Sequence, residues 1–135
     1  MPTIPDLSKT ILVVDDEPDI RELIGFNLLQ AGYRVETAEN GAAGIKMAIR
    51  ILPDLILLDV MMPEMDGIEA CKQLREHPKT KGCLIAFLSA RGEDYSQIAG
   101  FDSGADDYIT KPIAPSVLIK RVEALMRRIP NSESS

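Results

Sequence analysis

Apolar residues along this chain alternate between short continuous runs and stripes of helical period. Thr10–Val14 (TILVV), Leu55–Leu58 (LILL) and Cys83–Leu88 (CLIAFL) are nearly unbroken apolar runs, the pattern of strands covered on both faces. Tyr33–Thr37 (YRVET) alternates instead, with Arg34 and Glu36 pointing one way and Tyr33 and Val35 the other. Tyr108–Thr110 is short. Both read as edge strands.

Helical stripes fill the intervals. Ile20, Leu23, Ile24, Leu28 and Ala31 share one face of a helix opened by Pro18 and ended near Gly32. Ile45, Ala48, Ile49 and Leu52 repeat the pattern before Pro53 stops it, and Ile68, Cys71 and Leu74 form a third stripe. A weaker helix is expected over Asp94–Gly104, anchored by Ile98 and Phe101. Leu118, Val122, Leu125, Met126 and Ile129 make the last stripe and the clearest. Five successive βα units imply a parallel sheet with right-handed crossovers. Three buried strands and two edges predict a doubly wound five-stranded α/β sheet of order 2-1-3-4-5. Its first and third strands then flank the topological switch point, where ligands bind at the strands' carboxyl ends.

Length and charge narrow the function classes. With 135 residues the chain is sized for one domain. Its 15 Lys and Arg against 21 Asp and Glu, net charge −6, argue against direct nucleic-acid binding by this domain. No apolar run approaches the roughly 20 residues needed to cross a bilayer, and MPTIPDLSKT lacks the features of a secretion signal. No membrane association is expected. Cys71 and Cys83 have no metal-ligand or CxxC spacing, so two free thiols in a reducing cytoplasm are expected. Residues 1–9 and 130–135 are polar ends expected to be loose, the latter a tail or the start of a linker, leaving residues 10–129 as the domain.

The polar residues just beyond the strands carry the chemistry. Asp15 and Asp16 come after the first, Asp59 after the third, Ser89 after the fourth and Lys111 after the fifth. Taken singly, each is ordinary: an Asp after a strand is most often a helix cap or turn former. Their joint placement at four strand ends is not explained that way. Three neighbouring carboxylates repel unless a cation sits among them, and hard oxygen ligands suit Mg²⁺. A lysine and a hydroxyl opposite the metal would frame an anion with several acceptor oxygens, such as a phosphoryl group.

At these residues the chain resembles the receiver domains of two-component response regulators, over about residues 9–129. The segments VVDDEPDIRELI, DLILLDVMMPEMDGIEACKQLR, LSA and GADDYITKP carry the resemblance. So do the spacings of 30 residues from Asp59 to Ser89 and 22 from Ser89 to Lys111. The resemblance implies a flavodoxin-like (βα)5 fold and a signalling switch rather than an enzyme. It makes Asp59 the acceptor of a phosphoryl group from a sensor histidine kinase or a phosphotransfer protein. Asp16, Asp59 and the backbone carbonyl of Met61 would bind Mg²⁺ directly, and Asp15 largely through water. Lys111 and Ser89 would contact the phosphoryl group, and Ser89 and Tyr108 would be the switch pair. The bond before Pro112 is expected to be cis.

The output expected from the same resemblance is a surface of the fourth helix, fifth strand and fifth helix. The closing GADDYITKP and the basic MRR are most like receivers of winged-helix transcription regulators. In those a homodimer forms through ion pairs on that surface. Asp106, Asp107 and Arg121 are in place, but 93–100 holds no Lys or Arg and Val117 stands where an acid is often found. A stand-alone receiver acting by protein–protein contact is the alternative. A haloacid-dehalogenase-like phosphatase is disfavoured, because Met61 occupies the position of its second Asp.

Other residues read more plainly. Asp66 and Gly67 are expected to serve the turn after Pro63, His77 to be a solvated surface residue, and Met61–Met62 to form a hydrophobic rim. Met61 and Arg91, two residues beyond Asp59 and Ser89, stand where family members tune phosphoryl hydrolysis. A Met there offers water no hydrogen bond, which predicts a long-lived phosphorylated state.

Overall fold

The computed structural model of the chain describes residues 9–90 and 102–129. Its strands are β1 (Thr10–Val14), β2 (Arg34–Ala38), β3 (Leu55–Asp59), β4 (Leu84–Ala90) and β5 (Asp107–Lys111). All pair in parallel, in the order β2-β1-β3-β4-β5, as the five βα units predict. Helices α1 (Pro18–Gln30), α2 (Gly41–Ile51) and α3 (Gly67–Glu76), and a C-terminal helix (Pro115–Met126), cover the sheet.

The unbroken apolar runs become two separate cores because successive strand residues point to opposite faces. Ile11, Val13, Leu55, Leu57, Ala86, Leu88 and Ile109 face one way, against Ile24 and Leu28 of α1 and Leu118, Val122 and Leu125 of the C-terminal helix. Leu12, Val14, Ile56, Leu58, Ile85 and Phe87 face the other, against Ala48 of α2 and Ala70, Cys71 and Leu74 of α3. The outer strand β2 keeps Arg34, Glu36 and Thr37 exposed, as an edge position requires.

Helix starts follow local chemistry. Pro18 opens α1, Asn40 caps α2 by accepting from the Ala43 N–H at 2.8 Å, and Asp66 caps α3 by accepting from the Glu69 N–H at 2.8 Å. Two stripe positions depart from the expected faces. In α1 the buried face centres on Ile24, Gly25 and Leu28, while Leu23 and Ala31 are exposed. Gly25 faces Val35 of β2, where an added Cβ would lie 3.8 Å from the valine side chain. Leu52 is the left-handed C-cap of α2, φ 52°, and the reversal there turns its side chain outward.

Strand bounds also shift slightly. Cys83 lies before β4 rather than in it, and both cysteines are free. The helix expected over 94–104, with Ile98, Phe101 and nearby Arg91, lies outside the described residues apart from its end at 102–104. The terminal segments 1–8 and 130–135 lie outside them too. Lys9 is already tied to the sheet, its carbonyl accepting from the Arg34 N–H at 3.0 Å.

Candidate functional site

The carboxyl ends of β1, β3, β4 and β5 meet at one edge of the sheet, and each carries a predicted site residue. Asp59 is the last residue of β3, Ser89 the second-to-last of β4 and Lys111 the last of β5, and Asp15 follows β1 directly. Asp15, Asp59 and Ser89 are buried, at 0, 3 and 2 % exposure. A carboxylate at that depth needs a partner. Lys111 supplies it, its Nζ lying 3.1 Å from Asp15 Oδ2 and 3.3 Å from Asp59 Oδ1.

The reading of these Asp residues as caps or turn formers fits only in part. Asp15 Oδ1 does accept from the Glu17 N–H at 2.9 Å, shaping the turn into α1. Its Oδ2 has only the Lys111 ion pair and no formed hydrogen bond. Among the described residues Ser89 Oγ likewise has no hydrogen-bond partner. Such a buried hydroxyl without a protein partner is uncommon, and it has a free hydrogen bond to offer a water or a ligand oxygen.

Electrostatics set Asp59 apart. Burial, followed by repulsion from Asp15, pushes its carboxyl up to about 7, even though the Lys111 ammonium pulls the other way. Asp16 adds to the rise. Burial alone would lower the Lys111 pKa, but Asp15 and Asp59 outweigh it and the net direction is upward. Asp59 is therefore short of positive charge, and a cation is what would hold it ionised near neutral pH. Carboxylate oxygens of Asp15, Asp16 and Glu17 all lie within 4.8 Å of one another. The donor set is all oxygen, and it fits a hard divalent ion.

Glu17 is the residue that sequence reasoning missed. Its Oε1 lies 3.4 Å from Lys111 Nζ, making a third carboxylate about the same ammonium. In sequence it looks like a residue opening α1, and it does stand at the N-cap without capping through its side chain. Its place directly after Asp15 and Asp16 was the available signal.

Gly67 has a stricter role than turn chemistry. Its N–H donates to the Val60 carbonyl at 2.8 Å, and a Cβ there would run into the Asp59 carbonyl. The start of α3 thus packs directly on the backbone of Asp59. The Met61–Met62 pair does not make a joint rim: Met61 is 63 % exposed and Met62 sits in the core. His77 is half-buried, ending α3, with Nδ1 accepting from the Lys79 N–H at 3.1 Å.

On the far side of β5, Tyr108 is half-buried against the core of Leu12 and Phe87. The Lys111–Pro112 bond is cis. Asp107 pairs with Arg121 of the C-terminal helix at 3.0 Å. Asp106 pairs with Arg75 at 3.0 Å, accepts from the Ile85 N–H at 2.9 Å, and lies 3.7 Å from the Arg128 guanidinium just past the C-terminal helix. Arg75 also donates to the Gly104, Lys81 and Cys83 carbonyls. Asp106 is thereby fixed as a structural tie between α3 and the start of β4.

Comparison with known proteins agrees with this geometry. The family model for the response regulator receiver domain matches residues 11–123. The transcriptional regulator RpaA of Synechocystis is 45 % identical over 118 residues, which cover 87 % of this chain and 49 % of that protein. The alkaline phosphatase synthesis transcriptional regulatory protein PhoP of Bacillus subtilis is 47 % identical over 122 residues, 90 % of this chain and 50 % of that protein. The chain thus spans about half the length of the curated relatives it matches. Among solved structures, the Vibrio cholerae chemotaxis protein CheY4 superposes with a TM-score of 0.83 at 32 % identity, covering 87 % of this chain and 98 % of that one. A two-component response regulator from Clostridium difficile gives 0.84 at 29 % identity, covering 91 % and 99 %.

Proposed function

The chain belongs to the response regulator receiver family, and from that premise we propose that Asp59 accepts a phosphoryl group and that the charge so added switches an output surface. The domain is a signalling module rather than an enzyme. One observation carries the proposal most directly: the buried Asp59 carboxylate faces the Lys111 ammonium at 3.3 Å, beside a buried Ser89 hydroxyl with no partner among the described residues.

The donor is the phosphohistidine of a sensor histidine kinase or phosphotransfer protein. An Asp59 oxygen attacks phosphorus, the O–P bond forms as the P–N bond breaks, and the imidazole leaves with the electron pair. Asp16, Asp59 and the Met61 backbone carbonyl would hold Mg²⁺ directly and Asp15 largely through water, and the ion would neutralise phosphoryl oxygens. Lys111 keeps one of those oxygens in line, and Ser89 donates its hydroxyl to another. The aspartyl phosphate brings nearly two negative charges into a small buried site. Ser89 shifts toward it, the Tyr108 ring turns into the space released, and an output surface that includes β5 and the C-terminal helix is biased.

That surface points to control of transcription, as the names of RpaA and PhoP say of those proteins. A homodimer through the same surface is the form expected there, with the DNA contacts made outside this acidic domain. The alternative is a stand-alone receiver working by protein–protein contact. No described helix is long and apolar enough to cross a membrane, and we assign the domain to the cytoplasm.

Intact mass before and after incubation with Mg²⁺ and acetyl phosphate tests the acceptor. One added phosphoryl group is expected, absent in Asp59→Asn and absent with chelator. An unlabelled wild type would remove the proposal.

A further inference from the structure

Arg21 stands in an acidic stretch, with Asp15, Asp16, Glu17, Asp19 and Glu22 all within six positions of it. A guanidinium in such company is ordinarily taken by a carboxylate. Among the described residues Arg21 makes no ion pair. Its Nη1 donates instead to the backbone carbonyl of Asp15 at 2.7 Å. That carbonyl belongs to the peptide joining Asp15 to Asp16.

What this bond fixes is the backbone of Asp16. The peptide before Asp16 is held through its carbonyl by Arg21. The peptide after it is held through the Glu17 N–H, which donates to Asp15 Oδ1 at 2.9 Å. The Asp15 N–H is in turn tied to the Ala38 carbonyl at the end of β2, at 3.2 Å. Asp16 itself is exposed, and its carboxylate shares a 4.8 Å cluster with those of Asp15 and Glu17. Like charges that close repel one another, and an exposed side chain can relieve the repulsion by swinging into water. A backbone pinned on both sides restricts that swing.

We propose that Arg21 is a positioning residue of the metal site, clamping the Asp15–Asp16 peptide so that the Asp16 carboxylate stays in the acidic cluster. The inference builds on the reading of Asp16 as a Mg²⁺ ligand. Arg21 acts through the backbone and need touch neither the ion nor the phosphoryl group. Its charge works against its hydrogen bond, because a guanidinium near a divalent cation repels it. Clamp and charge therefore predict opposite signs when Arg21 is replaced.

Arg21 is half-buried and lines an open cleft with Thr37, Glu39 and Met47 rather than the core, so its replacement should leave the fold intact. The Kd for Mg²⁺ is read on the whole chain from amide ¹H–¹⁵N shifts. Arg21→Met removes the charge and the donors together. It is expected to bind Mg²⁺ about tenfold more weakly, the scale for a residue that orients a metal ligand. Arg21→Lys keeps a donor and is expected to recover most of that loss. An unchanged or tighter Kd in Arg21→Met overturns the inference, and so does Arg21→Lys binding no better than Arg21→Met. In the metal-free protein the Asp15 carbonyl ¹³C resonance should move upfield in Arg21→Met as its hydrogen bond is lost, and an unmoved resonance also overturns the clamp. Should Arg21→Met fail to fold, Arg21→Gln, with a shorter side chain, is read by the same two measurements. A wild type that binds no Mg²⁺ would instead sink the metal reading itself, so the two failures are distinguishable.

Discussion

Asp59 and Lys111 stand 52 positions apart in the chain, yet their charged groups lie 3.3 Å apart across the end of β4. The pairing is only partial compensation. Asp59 remains pushed up to about 7, by burial first and by Asp15 second.

The pH dependence of stability has a definite sign. The folded Asp59 keeps its proton to about pH 7, while the unfolded carboxyl loses it near its ordinary value of about 3.8. Its contribution to stability is fully present below the unfolded value and is lost as pH rises through about 7. Urea unfolding in the absence of Mg²⁺ should show wild type losing on the order of a few kcal/mol relative to Asp59→Asn between acid and neutral pH. Parallel pH profiles for the two proteins would contradict this. Added Mg²⁺ should restore stability to the wild type above pH 7 and do much less for Asp59→Asn.

Gly67→Ala should be damaging out of proportion to its size. The added methyl meets the Asp59 backbone, which cannot swing aside as a side chain can. We expect a loss of about 2 kcal/mol or more, with slower phosphoryl uptake because the acceptor backbone must shift. Gly82→Ala is the control: a Cβ there meets nothing within 4 Å, and the change should stay within about 0.5 kcal/mol. Equal effects at the two glycines would refute the close-approach account.

Arg75 and Arg121 each pair with an aspartate of the 106–107 doublet, but they should not matter equally. Arg75 also holds three backbone carbonyls, and its removal leaves part-buried acceptors unsatisfied. Arg75→Ala should cost about 2–3 kcal/mol in thermal or urea unfolding. The Arg121–Asp107 pair is more exposed, 46 % at Arg121, and Arg121→Ala should cost about 0–1 kcal/mol.

The rotated face of α1 is tested by two leucines. Leu28→Ala empties a fully buried position and should cost about 2–5 kcal/mol. Leu23→Ala, at a position 37 % exposed, should cost less than about 1 kcal/mol. Similar losses at both would restore the face expected from the stripe.

Met61 should govern how long the phosphoryl group persists. Its side chain projects into solvent beside Asp59 and offers an attacking water no hydrogen bond. Met61→Asn should shorten the half-life of the aspartyl phosphate by about three- to tenfold, read from the decay of the phosphorylated mass after the donor is removed. An unchanged half-life would assign lifetime control elsewhere.

Much of the site was legible because a parallel α/β sheet turns sequence order into spatial order. Once the runs at Thr10, Leu55 and Leu84 are strands of one sheet, the residues just after them must gather at one edge. Asp15, Asp59, Ser89 and Lys111 could be named on that ground. Glu17 was signalled only by its place after Asp15 and Asp16, and its contact with Lys111 depends on the reach of that side chain from β5. The pairing of Asp106 with Arg75, an arginine 31 residues away, could not be named from the sequence.

The amino-acid sequence by itself determined the order of elements, the two-faced burial of the central strands and the family of the domain. Those properties depend on periodicity and on residues close to strand ends, which are local. Only the tertiary structure decided which side of α1 is buried, that Gly67 must be glycine against the Asp59 carbonyl, and that one ammonium serves three carboxylates. Each of these depends on contact between segments far apart in the chain, and such contacts leave no periodic trace.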